Sequence, residues 1–248
     1  MLPVAPSNLR LLDFVLMAIL LVALPLWEHF IGTPRMRKSL EAGTFDRIHA
    51  YVRAFITLWA LVLLLALDWW TAGRAPKALG LAVHMDTRFT VGSLLTAAVM
   101  VLLIWEFFRI RRFSDERKRK VIEKNARIFE ITPSCARQLV YFMGLSVTAG
   151  VTEELLCRGF LIWSLTAYMN IVLAAVLSSI LFGLGHAYQG VSGIAKTGGV
   201  GLVMAILYIG SGTILLPMIL HVFVDAHNSL LTYSVKSSLT VSSPSPSG

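Results

Sequence analysis

The sequence predicts an all-α fold: a polytopic transmembrane helical bundle of about seven helices, with its chemistry in the last four. Three observations carry this. The 248 residues are 56% hydrophobic and only 15% charged, with a mean hydropathy of +0.72; soluble domains carry about 25% charged residues. Apolar runs of about the length of a bilayer span recur along the chain. The positive charge is gathered into blocks between those runs, as the positive-inside rule expects.

Taken in order, the expected spans are residues 11–31, 54–70, 91–108, 139–165, 171–188, 198–210 and 214–233, the sixth being short and glycine-rich. No small-residue cleavage site follows the first run, so an uncleaved helix is expected there. Pro25 and Pro217 fall within spans and are expected to kink them. Trp27, Trp69, Trp70 and Trp105 close apolar runs, as interfacial anchors do.

Residues 109–127 hold nine of the 22 Lys+Arg, and residues 32–53 hold five more. Two spans separate the blocks, so both can face the cytoplasm, in contact with anionic headgroups. A basic block can also bind nucleic acid, but membrane topology accounts for these without a nucleic-acid partner. The C-terminus is then inside. Three regions are expected: 1–137, a scaffold of three spans with basic loops; 138–236, a catalytic core; and 237–248, a disordered Ser/Pro-rich tail. Cys135 and Cys157 are too few for a disulfide framework and have no metal-ligand partner at short spacing.

Function is legible in the scarcity of charge. From Gln138 to Val235 the only charged residues are Glu153, Glu154, Arg158, Lys196 and Asp225. Each intramembrane charge costs several kcal/mol, roughly 2.5–3.5 on insertion scales, so such residues mark functional sites by default. Glu154 and Arg158 are four apart with the acid first, the favourable order for a helical ion pair. Glu153 lies about 100° further round. Without a salt bridge in an apolar site, it suits the role of base. Phe182 and His186 share a face, and His221 and Asp225 share another, where the carboxylate can orient the ring or be held by it.

A lone histidine on an apolar helix is more often a hydrogen-bonded core residue, and a lone acid–base pair is more often structural. Two glutamates, an arginine, two histidines and an aspartate on three spans point instead to acid–base chemistry. Ser211 lacks a nucleophile elbow. No His-Glu-x-x-His motif is present to suggest a zincin. His227 reads as packing, and Gln189, Gly190 and Lys196 as a solvated loop after His186.

The series Glu-Glu-x-x-x-Arg (Glu153, Glu154, Arg158), Phe-x-x-x-His (Phe182, His186) and His-x-x-x-Asp (His221, Asp225) resembles the CAAX-processing and bacteriocin-processing intramembrane proteases. These form the CPBP or Abi family, related to Rce1-type prenyl endopeptidases. The resemblance covers about residues 139–233. It implies an endopeptidase in the bacterial inner membrane, acting on a membrane-associated or lipidated peptide or protein. Glu153 and His186 are implied to activate water, and His221 with its i+4 partner to stabilise the oxyanion. No metal cofactor is implied. The alternative is zinc held by Glu153, His186 and His221. Asp225 stands where prenyl proteases carry Asn, and bacterial members accept Asp there. Competing readings are a non-proteolytic chaperone, immunity or scaffold protein of the same fold, and a proton-coupled transporter. The latter lacks the internal repeat common in transporters.

Overall fold

The computed structural model describes Pro6 and residues 8–242, and every regular element among them is helical. The first is α1, Leu11–Glu41, opened by the Asp13 carboxylate accepting the Arg10 backbone N–H at 2.7 Å. Pro25 has no N–H to continue an α-ladder. The helix passes it with wider π-turns on both sides, Ile19–Ala23 and Glu28–Gly32. Next come α2, Arg47–Thr71, and α3, Thr87–Arg111, each with an aspartate N-cap. Asp46 accepts from His49 N at 3.1 Å and Asp86 from Phe89 N at 2.9 Å, satisfying donors that a helix start leaves open.

Two short helices, α4 (Asp115–Lys124) and α5 (Ala126–Ile131), carry most of the basic block. Then follow α6 (Ala136–Leu165), α7 (Ile171–Gly185), α8 (Val191–Ser211) and α9 (Leu215–Ser242). Six of these helices are long and apolar enough to cross a membrane, and α7 is a shorter apolar one. The protein is thus a multi-pass membrane protein. In the bundle α6 packs on α2 and α9, α7 on α8, and α3 on α8 and α9.

Four expectations change. The short helix is α7, not α8. The glycines of α8 do not limit its length, because with Gly183 of α7 they let the two helices pack tightly: a Cβ on Gly183 would lie 2.6 Å from the Ile194 carbonyl and 3.1 Å from Gly198 Cα. His186 therefore falls just past the end of α7, and Lys196 lies on α8 rather than in a loop. Pro217 is the third residue of α9, where its missing N–H leaves no intrahelical bond broken. Trp69 is buried rather than an exposed anchor, its indole N–H donating to Ala75 O at 3.2 Å. Residues 237–242, expected in a disordered tail, instead continue α9 through Ser242. There Val235 and Leu239 pack with Ile110 and Phe129, next to Val121 and Ile122 of α4. Residues 243–248 lie outside the described residues.

The two ends of the bundle are built differently. At the end away from the basic blocks, the Arg74 guanidinium bridges two buried carboxylates, 2.6 Å from Asp13 of α1 and 2.8 Å from Asp68 of α2. It also stacks 4.8 Å from the Trp163 ring of α6 and 5.1 Å from that of Trp69, a favourable cation–π placement. One cation thus ties α1 and α2 to α6. At the basic end, Arg37 and Arg47 reach Glu130, Tyr51 reaches the Ile131 carbonyl, and Lys236 reaches the Thr132 carbonyl.

Removing Arg74 would leave Asp13 and Asp68 buried without a counter-charge, at a cost of about 3–5 kcal/mol for a broken buried pair. Arg74→Ala is expected to lower the melting temperature in detergent by many degrees, and Arg74→Met to do the same. Melting equal to wild type would show that the cluster does not support the fold.

Candidate active site

Glu153 and Glu154 are the last two residues of the α-helical part of α6. The next turns, Leu155–Leu161, are π-helical, a local widening common at functional sites. Arg158 lies within it, completely buried, as is Glu154. The expected pair forms, Arg158 Nη1 lying 3.1 Å from Glu154 Oε1. The other guanidinium nitrogen, Nη2, donates to the Gly201 carbonyl at 2.9 Å. The guanidinium also sits 4.4 Å from the centre of the Phe182 ring. Gly201 must be glycine for this, because a Cβ would lie 2.9 Å from Nη2.

The same Glu154 oxygen lies 2.8 Å from His221 Nδ1. Glu154 is therefore more than the structural partner of Arg158. It also orients the histidine, a role that spacing alone gave to Asp225. A carboxylate engaged by arginine only accepts, so Nδ1 carries the proton. The far nitrogen, Nε2, then points between two other carboxylates, 3.9 Å from Glu153 Oε2 and 3.8 Å from Asp225 Oδ2. Both distances exceed a direct hydrogen bond and suit a bridging group.

Access differs across the cluster. Arg158 and Glu154 are sealed, whereas the Glu153 side chain is 20% exposed and that of Asp225 31%. Glu153 Oε2 is itself enclosed and has no hydrogen-bond partner in the protein. The open carboxylates lie toward the basic end: Glu153 precedes Glu154 on the rising α6, and Asp225 follows His221 on the returning α9.

His186 leaves the helical conformation at the end of α7, with φ −103° and ψ 26°. Its Nδ1 donates to the Phe182 carbonyl at 2.8 Å, which leaves Nε2 with a lone pair. The Phe182 ring lies 4.8 Å from the His186 ring and 5.7 Å, edge-on, from that of His221. Phe182 is therefore the shared wall of the site, touching Arg158 and both histidines. No hydrogen bond joins His186 to Glu153 among the described residues.

All six expected residues gather here, from α6, the end of α7, and α9. The approach of α6 to α9 rests on Gly150, where a Cβ would lie 2.7 Å from the Val222 backbone nitrogen. Phe182 is legible as part of the Phe-x-x-x-His motif, but not as the wall shared with Arg158 and His221, and the spacers Gly150 and Gly201 carry no signal in the sequence beyond being small. His227 is buried against Phe107, apart from the cluster. Ser211 Oγ is bonded to the Leu207 and Thr213 carbonyls rather than to a base.

Among the described residues no three His, Cys, Asp or Glu side chains are arranged to hold a metal. Both histidines engage Nδ1, with Glu154 and the Phe182 carbonyl, and leave Nε2 without a direct hydrogen bond.

Residues 136–227 match the family model of the type II CAAX prenyl endopeptidase Rce1-like proteins. That segment is similar to the Rce1-like proteins. The match spans α6 to α8 and the part of α9 that bears His221 and Asp225, so the Rce1-like segment contains the whole cluster; α1–α5 lie outside it. No curated protein and no solved structure matches the chain.

Arg158 holds the Rce1-like site together from below. Arg158→Ala would leave Glu154 buried beside one histidine, at a cost of about 3–5 kcal/mol. It is expected to reduce both folded yield and melting temperature. Wild-type yield with unchanged melting would argue that Glu154 is held by His221 alone.

Proposed function

We propose that this protein is an intramembrane endopeptidase that hydrolyses a peptide bond with a water activated by Glu153 and His186. The observation that carries the reading is His221: one nitrogen is locked by the Glu154–Arg158 pair, and the other is presented between Glu153 and Asp225.

The chemistry follows from the hydrogen-bond roles. Glu153 has an oxygen without a partner, on the side that Asp225 and His186 leave open. A carboxylate so placed can take a proton from water as the oxygen attacks a carbonyl carbon. The His186 Nε2 lone pair is left free by the Nδ1 bond to Phe182 and can accept the water's second hydrogen bond. The developing oxyanion needs donors fixed in advance. His221 donates from Nε2 only as an imidazolium, since its other N–H is given to Glu154. Asp225 donates only when protonated. In that state the cluster is neutral, with Glu153 and Glu154 negative and Arg158 and His221 positive, which suits a low-dielectric site. The proton held by Glu153 then passes to the leaving amine as the C–N bond breaks, and the carboxylate is restored.

The site's depth fits a substrate at the membrane. At 1.5 Å per residue the 15 residues of α7 cover about 22 Å, short of the roughly 30 Å hydrocarbon core. His186 then lies within the bilayer's depth, on the basic side, which the positive-inside rule makes cytoplasmic. On the outer side of the same helices, an apolar groove of about 310 Å³ runs between α7 and α8, bordered by Val176, Ile180, Leu184 and Leu202. It suits a substrate with an apolar portion in the bilayer. Membrane lipids are the other partner. Asp225 agrees with bacterial members of the resembled family, so a bacterial plasma membrane is the location we favour.

Purified protein in liposomes should cleave a peptide precursor, and Glu153→Gln or His186→Ala should abolish turnover while melting stays near wild type. Activity is expected to survive exhaustive chelation of divalent metal. Loss on chelation with recovery on zinc would restore the metal reading. Asp225 is tested separately by its pH–rate profile. As a protonated donor it loses its proton as pH rises, so wild-type activity should fall at high pH. Asp225→Asn should keep much of the activity, because an amide also donates, and should lose the part of that fall that Asp225 contributes, leaving the part that comes from deprotonation of the His221 imidazolium. An Asn variant as inactive as Asp225→Ala would reject the donor role.

A further inference from the structure

The turn after His186 carries a group that the motifs do not include. Ala187–Gln189 is one 3-10 turn, ended by Gly190 at φ +80°. The Tyr188 ring lies 5.7 Å from the His186 ring. Its hydroxyl accepts from Gln189 Nε2 at 3.3 Å, and Gln189 Oε1 accepts from Thr197 Oγ1 at 3.3 Å. A hydroxyl that accepts from an amide retains its own O–H to donate elsewhere. The Tyr188 side chain is half-buried beside His186, at the end of α7 that carries the site.

The turn is also held from outside the Rce1-like segment. Arg37 Nη2, on α1, donates to the Tyr188 carbonyl at 3.0 Å. The π-segment Glu28–Gly32 packs against the same turn. The Arg127 guanidinium lies where a Gly190 side chain would be, so both the positive φ and the space require glycine. A half-buried loop tyrosine has no need of three such supports merely to fill space.

We propose that Tyr188 is a further catalytic residue, whose phenol donates a hydrogen bond to the substrate oxygen on which negative charge develops. This rests on the endopeptidase reading. Tyrosine is a neutral donor at ordinary pH, with a pKa of about 10. A fixed donor aimed at developing charge acts on turnover more than on ground-state binding. Arg37 is then a positioning residue, acting through the Tyr188 carbonyl.

The experiment compares wild type, Tyr188→Phe, Arg37→Ala and Glu153→Gln, full-length in liposomes, on one peptide that wild type cleaves. Tyr188→Phe keeps the ring and removes only the O–H. It is expected to lower kcat by about 10- to 100-fold, at or below the usual loss for one oxyanion donor, with KM and melting temperature near wild type. Arg37→Ala should give a smaller fall in kcat, partly recovered in Arg37→Lys. A Tyr188→Phe kcat within about twofold of wild type, or a loss matched by a drop in melting temperature, overturns the donor role. With Glu153→Gln inactive in the same assay, that result leaves the endopeptidase reading standing. A wild-type protein that cleaves no peptide sinks both.

Discussion

A single carboxylate oxygen organises this bundle. Glu154 Oε1 receives Arg158 from its own helix and His221 from α9, both in a space closed to solvent. Neither charge would be tolerable there alone. The arginine spends its remaining capacity on the Gly201 carbonyl of α8 and the Phe182 face of α7. One buried cation thereby links all four helices of the Rce1-like segment. A buried ion pair is weak evidence of net stability, but it specifies geometry. In this case it sets the tautomer and direction of His221, so the nitrogen facing Glu153 and Asp225 is determined two contacts away.

The division into a sealed base and an open mouth is a division of labour by hydration. Arg158 and Glu154 are dry and paired with each other, while Glu153 and Asp225 are partly exposed and lack direct partners at hydrogen-bond distance. The first pair can orient; the second can exchange protons. Adjacent glutamates serve both needs because a helix turns about 100° per residue, placing one acid in the core and the next at the edge of the cavity.

The helices outside the Rce1-like segment contribute at both ends. Arg74 clamps α1 and α2 against Trp163 of α6 at one end, and Arg37 holds the turn after His186 at the other. Between these points α1 passes Pro25 on π-turns, and the second of them meets that turn. The scaffold is thus in contact with the most mobile kind of element near the site, a short loop between two helices.

The sequence by itself determined the membrane class, the seven apolar helices, the basic side, and the six residues of the cluster. Those follow from hydrophobicity, charge scarcity and i,i+4 spacing, which are local properties of the chain. The same local view placed the short helix wrongly at the glycines of α8, and read Pro217 as a kink and Ser237–Ser242 as tail. Partner helices decide these points, through Gly183 against Ile194 and through Val235 and Leu239 against Ile110 and Phe129. Only the tertiary structure could show that His221 is oriented by Glu154 rather than by Asp225, its neighbour on the helix. Residues 67 positions apart meet because Gly150 lets α6 and α9 close to backbone contact. Spacing along one helix says which residues share a face, but not which face of another helix arrives to meet it.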